Sequence, residues 1–206
     1  MSVVNDLHSV MGWLRETVCP LVSLKQAPDI GEQGEEAYAF KTVHPEVYGM
    51  YWPVGNVARQ PDLKTPHPGI LVQLSEGSEG WSDMRRRYRL RLHLSAWNPG
   101  RHGPDVWYPK DSPGPLEPRY VRGPEGEYED GYGGWQDAWS FLDTLLREVR
   151  NATDVGGLSI DRSEPLAFGP YSEQGAILDL YPYWFCWVDL ALVAQASPPT
   201  WAEDYL

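Results

Sequence analysis

Apolar positions divide the chain into a few periodic stretches separated by longer irregular ones. Val4, Leu7, Val10, Met11, Leu14 and Val18 recur at spacings of three and four, which draws one apolar stripe along a helix over 4–18. Asn5 or Asp6 stands where a cap is needed, and Pro20 is placed to stop the helix. Residues 21–37 become polar and Gly-containing, with Glu32, Glu35 and Glu36 close together, and read as a loop. Extended pieces are expected at Tyr38–Val43, ended by His44-Pro45, and at Tyr48–Val54, ended by Gly55-Asn56. Pro61, Pro66 and Pro68 make 55–68 a non-helical connection.

The clearest sheet signal follows. Ile70–Leu74 is an apolar run of strand length, and Ser75 to Asp83 reads as a polar turn. Tyr88, Leu90, Leu92, Leu94 and Ala96 then alternate with Arg89, Arg91, His93 and Ser95. Period two over nine residues means one buried and one wet face, and predicts an antiparallel pair of 70–74 with 86–97. Further on, Trp135, Ala138, Trp139, Leu142, Leu145, Leu146 and Val149 mark a second amphipathic helix, opened by Gly133-Gly134, with Gly156-Gly157 just past its end. Its wet side carries Gln136, Asp137, Asp143, Arg147, Glu148 and Arg150. Short strands are expected at Leu158–Asp161 and Ala176–Tyr181. Trp184–Ala194 is apolar on both alternating sets and reads as a central strand covered on both faces, ended by Pro198-Pro199.

Between the two sheet signals and the second helix, residues 98–134 hold seven Pro and eight Gly in 37 positions. Such a stretch propagates neither a helix nor a central strand. Its five aromatics (Trp107, Tyr108, Tyr120, Tyr128 and Tyr132) favour an arm that packs onto something. The expected architecture is therefore α+β: a mostly antiparallel sheet with two amphipathic helices packed on it and a long Pro/Gly-rich arm. One domain spans 1–206, with the arm at 98–134 and a short tail at 197–206.

Composition narrows the function classes. The 206 residues carry 17 Lys+Arg against 29 Asp+Glu, a formal net charge of -12. That balance argues against non-specific grip on nucleic-acid phosphates, which needs a basic face. An apolar fraction of 42% is ample for a core and argues against global disorder. Cys19 and Cys186 are too few for a disulfide framework and form no metal-ligand pair, as expected of thiols in a reducing cytoplasm. No basic start with a continuous apolar stretch marks a signal peptide, and the run Trp184–Ala194, broken by Asp189, is too short to span a bilayer as a helix.

Catalytic motifs are not recognisable. There is no P-loop, no GxGxxG after a strand, no HExxH, no GxSxG and no CxxC. Ser172, in Gly169–Gly175, has the wrong spacing for a nucleophile elbow and reads as a turn residue. His8, His44, His67, His93 and His102 lack metal-ligand spacing and are expected to be solvated or hydrogen-bonded. Glu35/Glu36 and Glu129/Asp130 are acidic pairs of the kind acid–base catalysis uses, but acidic loops are common. No catalytic residue, cofactor or metal is expected.

Three features remain. Arg85, Arg86, Arg87, Arg89 and Arg91 gather five of the thirteen arginines into seven residues. They form either a solvated outer sheet face or a surface that pairs with carboxylates of a neighbouring subunit; phosphate binding is the weakest reading, because the rest of the chain supplies no basic field. Glu125, Glu127, Glu129 and Asp130 in the arm supply the complementary acid, as a solvated loop or as the partner in head-to-tail pairing that closes a ring. Tyr181, Tyr183, Trp184, Phe185 and Trp187 form the densest aromatic cluster, read as core or, if exposed, as a sugar platform or protein interface.

The layout resembles that of the tail terminator (tail completion) proteins of tailed bacteriophages and related tail-like particles. An N-terminal helix leads to Gly69–Leu74, then to the alternating strand Tyr88–Asn98 and the helix Trp135–Arg150. Glu164-Pro165-Leu166 precedes Tyr181-Pro182-Tyr183-Trp184, and the strand Trp187–Val193 closes the domain. The 98–134 arm departs from the family's tighter connection. The resemblance implies a small α+β subunit in a ring, a hexamer in that family, on the head-proximal end of a tail tube. There it halts tube polymerisation and offers a docking surface to the head connector. It implies no catalysis and no cofactor. Its implied partners are other copies of the chain, the tail tube protein, the head-tail connector or stopper and, as a further candidate, the tail sheath. DNA passes through without specific binding, no membrane is involved, and the subunit is assembled in the host cytoplasm and ends in the virion. Another neck protein, a Trp-rich carbohydrate- or receptor-binding module, and an unrecognised hydrolase are the competing readings.

Overall fold

In a computed structural model, residues 2–27, 42–53, 66–98 and 134–195 are described. The arm, the acidic run Glu125–Asp130 and the tail at 197–206 lie outside them, as do His102 and most of the expected strand Tyr38–Val43.

Helix α1 (Val3–Trp13) starts where Ser2 Oγ accepts from the Asn5 N–H at 3.2 Å. Ser2 thus takes the cap expected of Asn5 or Asp6. Asp6 is instead 1% exposed, because it turns inward to accept a hydrogen bond from the Tyr88 hydroxyl at 2.6 Å. The helical path continues through a π-helical turn, Leu14–Val18, and a 3₁₀ turn, Cys19–Leu21. Pro20 sits inside that last turn, where an early proline costs no helical hydrogen bond, so the stop comes one residue later than expected.

The strands then follow in order. β1 (Leu24–Lys25) pairs antiparallel with β2 (Thr42–Val43). β3 (Glu46–Gly49) runs parallel to the first residues of β4 (Gly69–Glu79). The second extended piece thus begins and ends earlier than Tyr48–Val54, because Met50 takes a left-handed φ of 64° and turns the chain out of the strand. β4 pairs along its length with β5 (Arg85–Trp97). The segment expected as a turn from Ser75 is mostly strand: a bulge between Leu74 and Glu76 re-registers the pair, and the turn shrinks to Trp81–Met84.

α2 (Trp135–Asn151) buries Ala138, Phe141, Leu142, Leu145, Leu146 and Val149. Its stripe is rotated from the expected one: Phe141 is 1% exposed and Trp135 is 49% exposed. β6 (Asp154–Val155) and β7 (Leu158–Ile160) form a hairpin. Gly156 and Gly157, expected as helix-end glycines, are its two-residue turn, with φ of 62° and 81°. A Cβ on Gly156 would collide with the Ser9 backbone of α1, so this position needs both the conformation and the missing side chain. β8 (Phe168–Pro170) follows, then a small hairpin of β9 (Ser172–Glu173) and β10 (Ala176–Ile177). Ser172 is in that strand, and the turn is carried by Gln174 and Gly175 with φ of 50° and 84°. The strand expected over Ala176–Tyr181 ends at Ile177; the Leu178 N–H still donates to the Tyr171 carbonyl at 3.0 Å, and the side chains of Leu178 and Leu180 are exposed.

β11 (Tyr183–Gln195) closes the sheet. It pairs antiparallel with β5 over thirteen residues, from Tyr183 opposite Trp97 to Gln195 opposite Arg85. Its other edge meets β8 and β7. The main sheet has the order β3-β4-β5-β11-β7-β6, with β8 alongside β11, and only β3–β4 is parallel. The fold is α+β: two helices packed on a mostly antiparallel mixed sheet curled into a half-barrel. β11 is central, but its two faces differ. Cys186, Val188, Leu190 and Leu192 are buried under the helices, whereas Phe185, Trp187, Asp189 and Ala191 are only half-buried. Among the described residues, no helix is long and apolar enough to cross a membrane.

Candidate functional site

The face of the sheet turned away from the helices collects the chemistry-bearing side chains. Alternation along β5 sends Leu90, Leu92, Leu94 and Ala96 into the core, each 0% exposed. The intervening residues, Arg85 to Ser95, line the other face. Register places Gln73 beside Arg91 on β4, with Trp187 opposite His93 and Asp189 opposite Arg91 on β11.

That face is wet at only one end. Around Ser95 it is covered by aromatic rings. His67 lies 5.1 Å from Trp52, 5.0 Å from Tyr183 and 5.5 Å from Phe185, centroid to centroid. Its Nδ1 is 2.8 Å from Ser95 Oγ, and Ser95 Oγ also accepts from the Gly69 N–H at 3.1 Å. His93 and Ser95, expected on a solvated face, are therefore 8% and 0% exposed. The aromatic cluster expected near the last strand divides between the two faces: Tyr183, Phe185 and Trp187 are half-buried here with Tyr48, Trp52 and Tyr171, whereas Trp184 packs against the helix-side core with Tyr181 beside it. Sequence reasoning missed Gln73, His67 and Tyr171 as members, because three separate segments bring them in.

At the centre, both His93 ring nitrogens are occupied. Nε2 is 2.8 Å from Gln73 Oε1, and Nδ1 meets the Tyr171 hydroxyl. The carboxamide oxygen only accepts, so Nε2 carries the proton and Nδ1 accepts from Tyr171. Burial, with the Arg91 charge adding to it, pushes His93 down to about 4, and burial does the same to His67. Both imidazoles are neutral near pH 7. Burial pushes the Tyr171 phenol up to about 12, so it remains a donor.

At the charged end, the arginines expected to face a neighbour have partners in their own chain. Arg91 makes a two-pronged pair with Asp189, Nε to Oδ1 at 2.7 Å and Nη2 to Oδ2 at 2.8 Å. Its guanidinium carbon lies 4.3 Å above the Trp187 ring. Arg89 reaches Glu164 at 3.2 Å, and Arg87 pairs with Asp83. Arg86, on the helix side, meets Glu79 at 2.6 Å and Asp6 at 3.5 Å. Arg85 has no acidic partner among the described residues. The side chains of Arg87, Arg89 and Arg91 remain 46%, 50% and 39% exposed, so their pairs sit at the water boundary. The proposed counter-charges Glu125, Glu127, Glu129 and Asp130 lie outside the described residues.

The remaining reactive groups are quiet. Cys19 and Cys186 are buried, and burial raises both thiols to about 12, which suppresses the nucleophilic thiolate. Among the described residues, no group of three or more His, Cys, Asp or Glu side chains is placed to hold a metal ion. This face thus offers locked shape, a ring-covered end and a half-exposed row of guanidiniums. No protein-family model matches the chain, and no curated protein sequence matches it either.

Proposed function

We propose that the chain is a structural subunit of the tail-terminator type: it forms a ring on the head-proximal end of a phage or phage-like tail tube, stops the tube growing and offers the head connector a docking surface. The observation that carries this reading is the order of elements. A leading helix, the β4–β5 hairpin, a second helix on the same core and a closing strand laid beside β5 follow the layout on which the resemblance rests. The net charge of -12 supports it, since a ring around passing DNA gains from a surface that repels phosphates.

The role needs neither catalysis nor a cofactor. Its partners are further copies of the chain, six to a ring, the tube protein, and the connector or stopper. The exposed arginines remain the proposed subunit contact. Surface pairs such as Arg89–Glu164 are worth at most about 1 kcal/mol and exchange readily for a neighbour's carboxylates. Among the described residues, Arg85 has no acidic partner to exchange.

Electron microscopy of purified tail tubes tests the reading. Added protein should cap one end of each tube with a ring and stop elongation in a polymerisation assay. Bare ends and unchanged elongation at saturating protein would sink it. Charge reversal of Arg85 and Arg89 together should weaken ring formation while leaving the thermal midpoint nearly unchanged.

A further inference from the structure

A cavity of about 560 Å³ opens where β5 begins and β11 ends. Clefts of about 300–1,000 Å³ take a small ligand or a few side chains. Its walls are apolar at Leu158, Ile160 and Val193, and its rim carries Arg85, Arg87 and Asp161. Asp6 borders it too, but is buried and already held by Tyr88 and Arg86.

Charge at the rim is unevenly matched. Arg87 pairs with Asp83, and Asp161 accepts from the Ser163 N–H at 3.0 Å and from its hydroxyl at 2.6 Å. Arg85 is exposed and has no acidic partner among the described residues. A fitting occupant therefore brings apolar side chains for the walls and a carboxylate for Arg85.

One segment of the chain can bring both. Gln195, the last residue of β11, is itself part of the cavity wall and lies across the ladder from Arg85. Residues 196–206 follow it, with two acidic residues and no Lys or Arg. Pro198-Pro199 offers no N–H to a ladder, so the sequence turns away from strand pairing there. Six steps of backbone from Gln195 to Trp201 span at most about 20 Å, ample for a cavity that starts at Gln195. Trp201, Tyr205 and Leu206 carry the apolar surface, and Glu203 and Asp204 carry the carboxylates. A tether this short holds the segment at an effective concentration near millimolar, so modest contacts suffice to seat it.

We propose that residues 200–206 seat in this cavity of their own chain, with Trp201 on the apolar walls and Glu203 or Asp204 paired with Arg85. The segment then stands at Arg85 as Glu164 stands at Arg89: a partner within the chain, for which a neighbour's carboxylate can exchange. The contact lies within one chain, so it stands or falls independently of what any assembly caps.

A pair of cysteines in the full chain tests it: Ser159→Cys at the exposed rim and Ala202→Cys in the segment. Cys19 and Cys186 are buried and stay out of the reaction. Mild oxidation with diamide should link positions 159 and 202 within one chain, seen by mass spectrometry as a disulfide-bonded peptide pair from protein of monomer mass. Ser140→Cys with Ala202→Cys is the control, because Ser140 is exposed on α2 and does not line the cavity. Its link should form at least ten-fold more slowly. Adding Arg85→Glu or Trp201→Ser to the rim pair should each slow the link at least five-fold, and an unchanged thermal midpoint shows that these variants are folded. Absence of a link at 159 overturns the proposal, as do equal rates at 140 and 159 or a rate that either added substitution leaves unchanged. Links that join two chains in dilute protein would give the segment to a neighbour's cavity and overturn the contact within one chain.

Discussion

The two faces of β5 are built on different principles, although their residues alternate along one strand. Toward the helices, Leu90, Leu92, Leu94 and Ala96 share an apolar core with Val10, Leu14, Phe141 and Leu145, and the directional Tyr88–Asp6 contact is confined to one end of it. Away from the helices, Arg91, His93 and Ser95 each meet a named polar group at a defined atom. The first face supplies most of the free energy of folding, since burying an aliphatic side chain yields about 1.5–3 kcal/mol. The second fixes alignment. Gln73, His93 and Tyr171 tie β4, β5 and the β8–β9 segment together, while Arg91 and Asp189 tie β5 to β11. A one-residue slip would put these guanidiniums into the core and the leucines into water.

Substitutions sharpen the contrast, and their expected sizes run in order. Leu92→Ala should cost about 4 kcal/mol by urea unfolding, from lost transfer energy plus a cavity. A cost under about 1 kcal/mol would mean that the helices collapse onto the gap. Next comes acid. The folded-state pKa of His93 is depressed to about 4 from an ordinary value near 6.5, so the unfolded chain binds the proton first as pH falls. Its contribution is present above pH 6.5, declines as pH falls toward 4, and changes no further below that; the loss is about 3 kcal/mol. His67 works in the same direction. Stability measured from pH 7 to pH 4 should fall in the unmodified protein and fall less steeply in His93→Gln, where His67 alone remains of the two. An equally steep fall in the variant would remove His93 as the cause.

Asp189→Ala should cost about 1 kcal/mol, because it strands Arg91 over Trp187 while water reaches a side chain that is 39% exposed. Glu164→Ala should fall within about 0.5 kcal/mol of the unmodified protein, since Arg89 and Glu164 are both about half exposed. If Glu164→Ala destabilised more than Asp189→Ala, the charged end would be more rigid than its exposure implies.

Local patterns made the strands and helices legible. The alternation at 88–96, the apolar run at 70–74 and the apolar stretch at 184–194 each gave a real strand, because period two reports local geometry. The rotation of α2 was not legible. Both Trp135 and Phe141 border a helical stripe, and only packing on the sheet decides that Phe141 goes in. Gly156-Gly157 signalled positive φ correctly, but a glycine pair ends a helix or turns a hairpin equally well. The site was harder still. Asp6 meets Tyr88 across 82 residues, and Tyr171 meets His93 across 78. No spacing rule reaches that far. The arginine run was visible, while its carboxylates at 164 and 189 were not, because β5–β11 register brings Asp189 to it and Glu164 comes from a loop 75 residues further on.

The place of β11 in chain order has a consequence for biosynthesis. This strand lies at the middle of the sheet, yet it follows every other strand along the chain. While the polypeptide is being made, β5 leaves the ribosome with one edge unpaired and waits for nearly ninety further residues before Tyr183 can meet Trp97. Strand edges left open in this way invite wrong pairing, and contacts so distant along the chain fold slowly. The hairpin β4–β5 and helix α2 are local enough to form early. The half-barrel itself is therefore completed in a late step, when residues 183–195 slide into a slot already framed on either side.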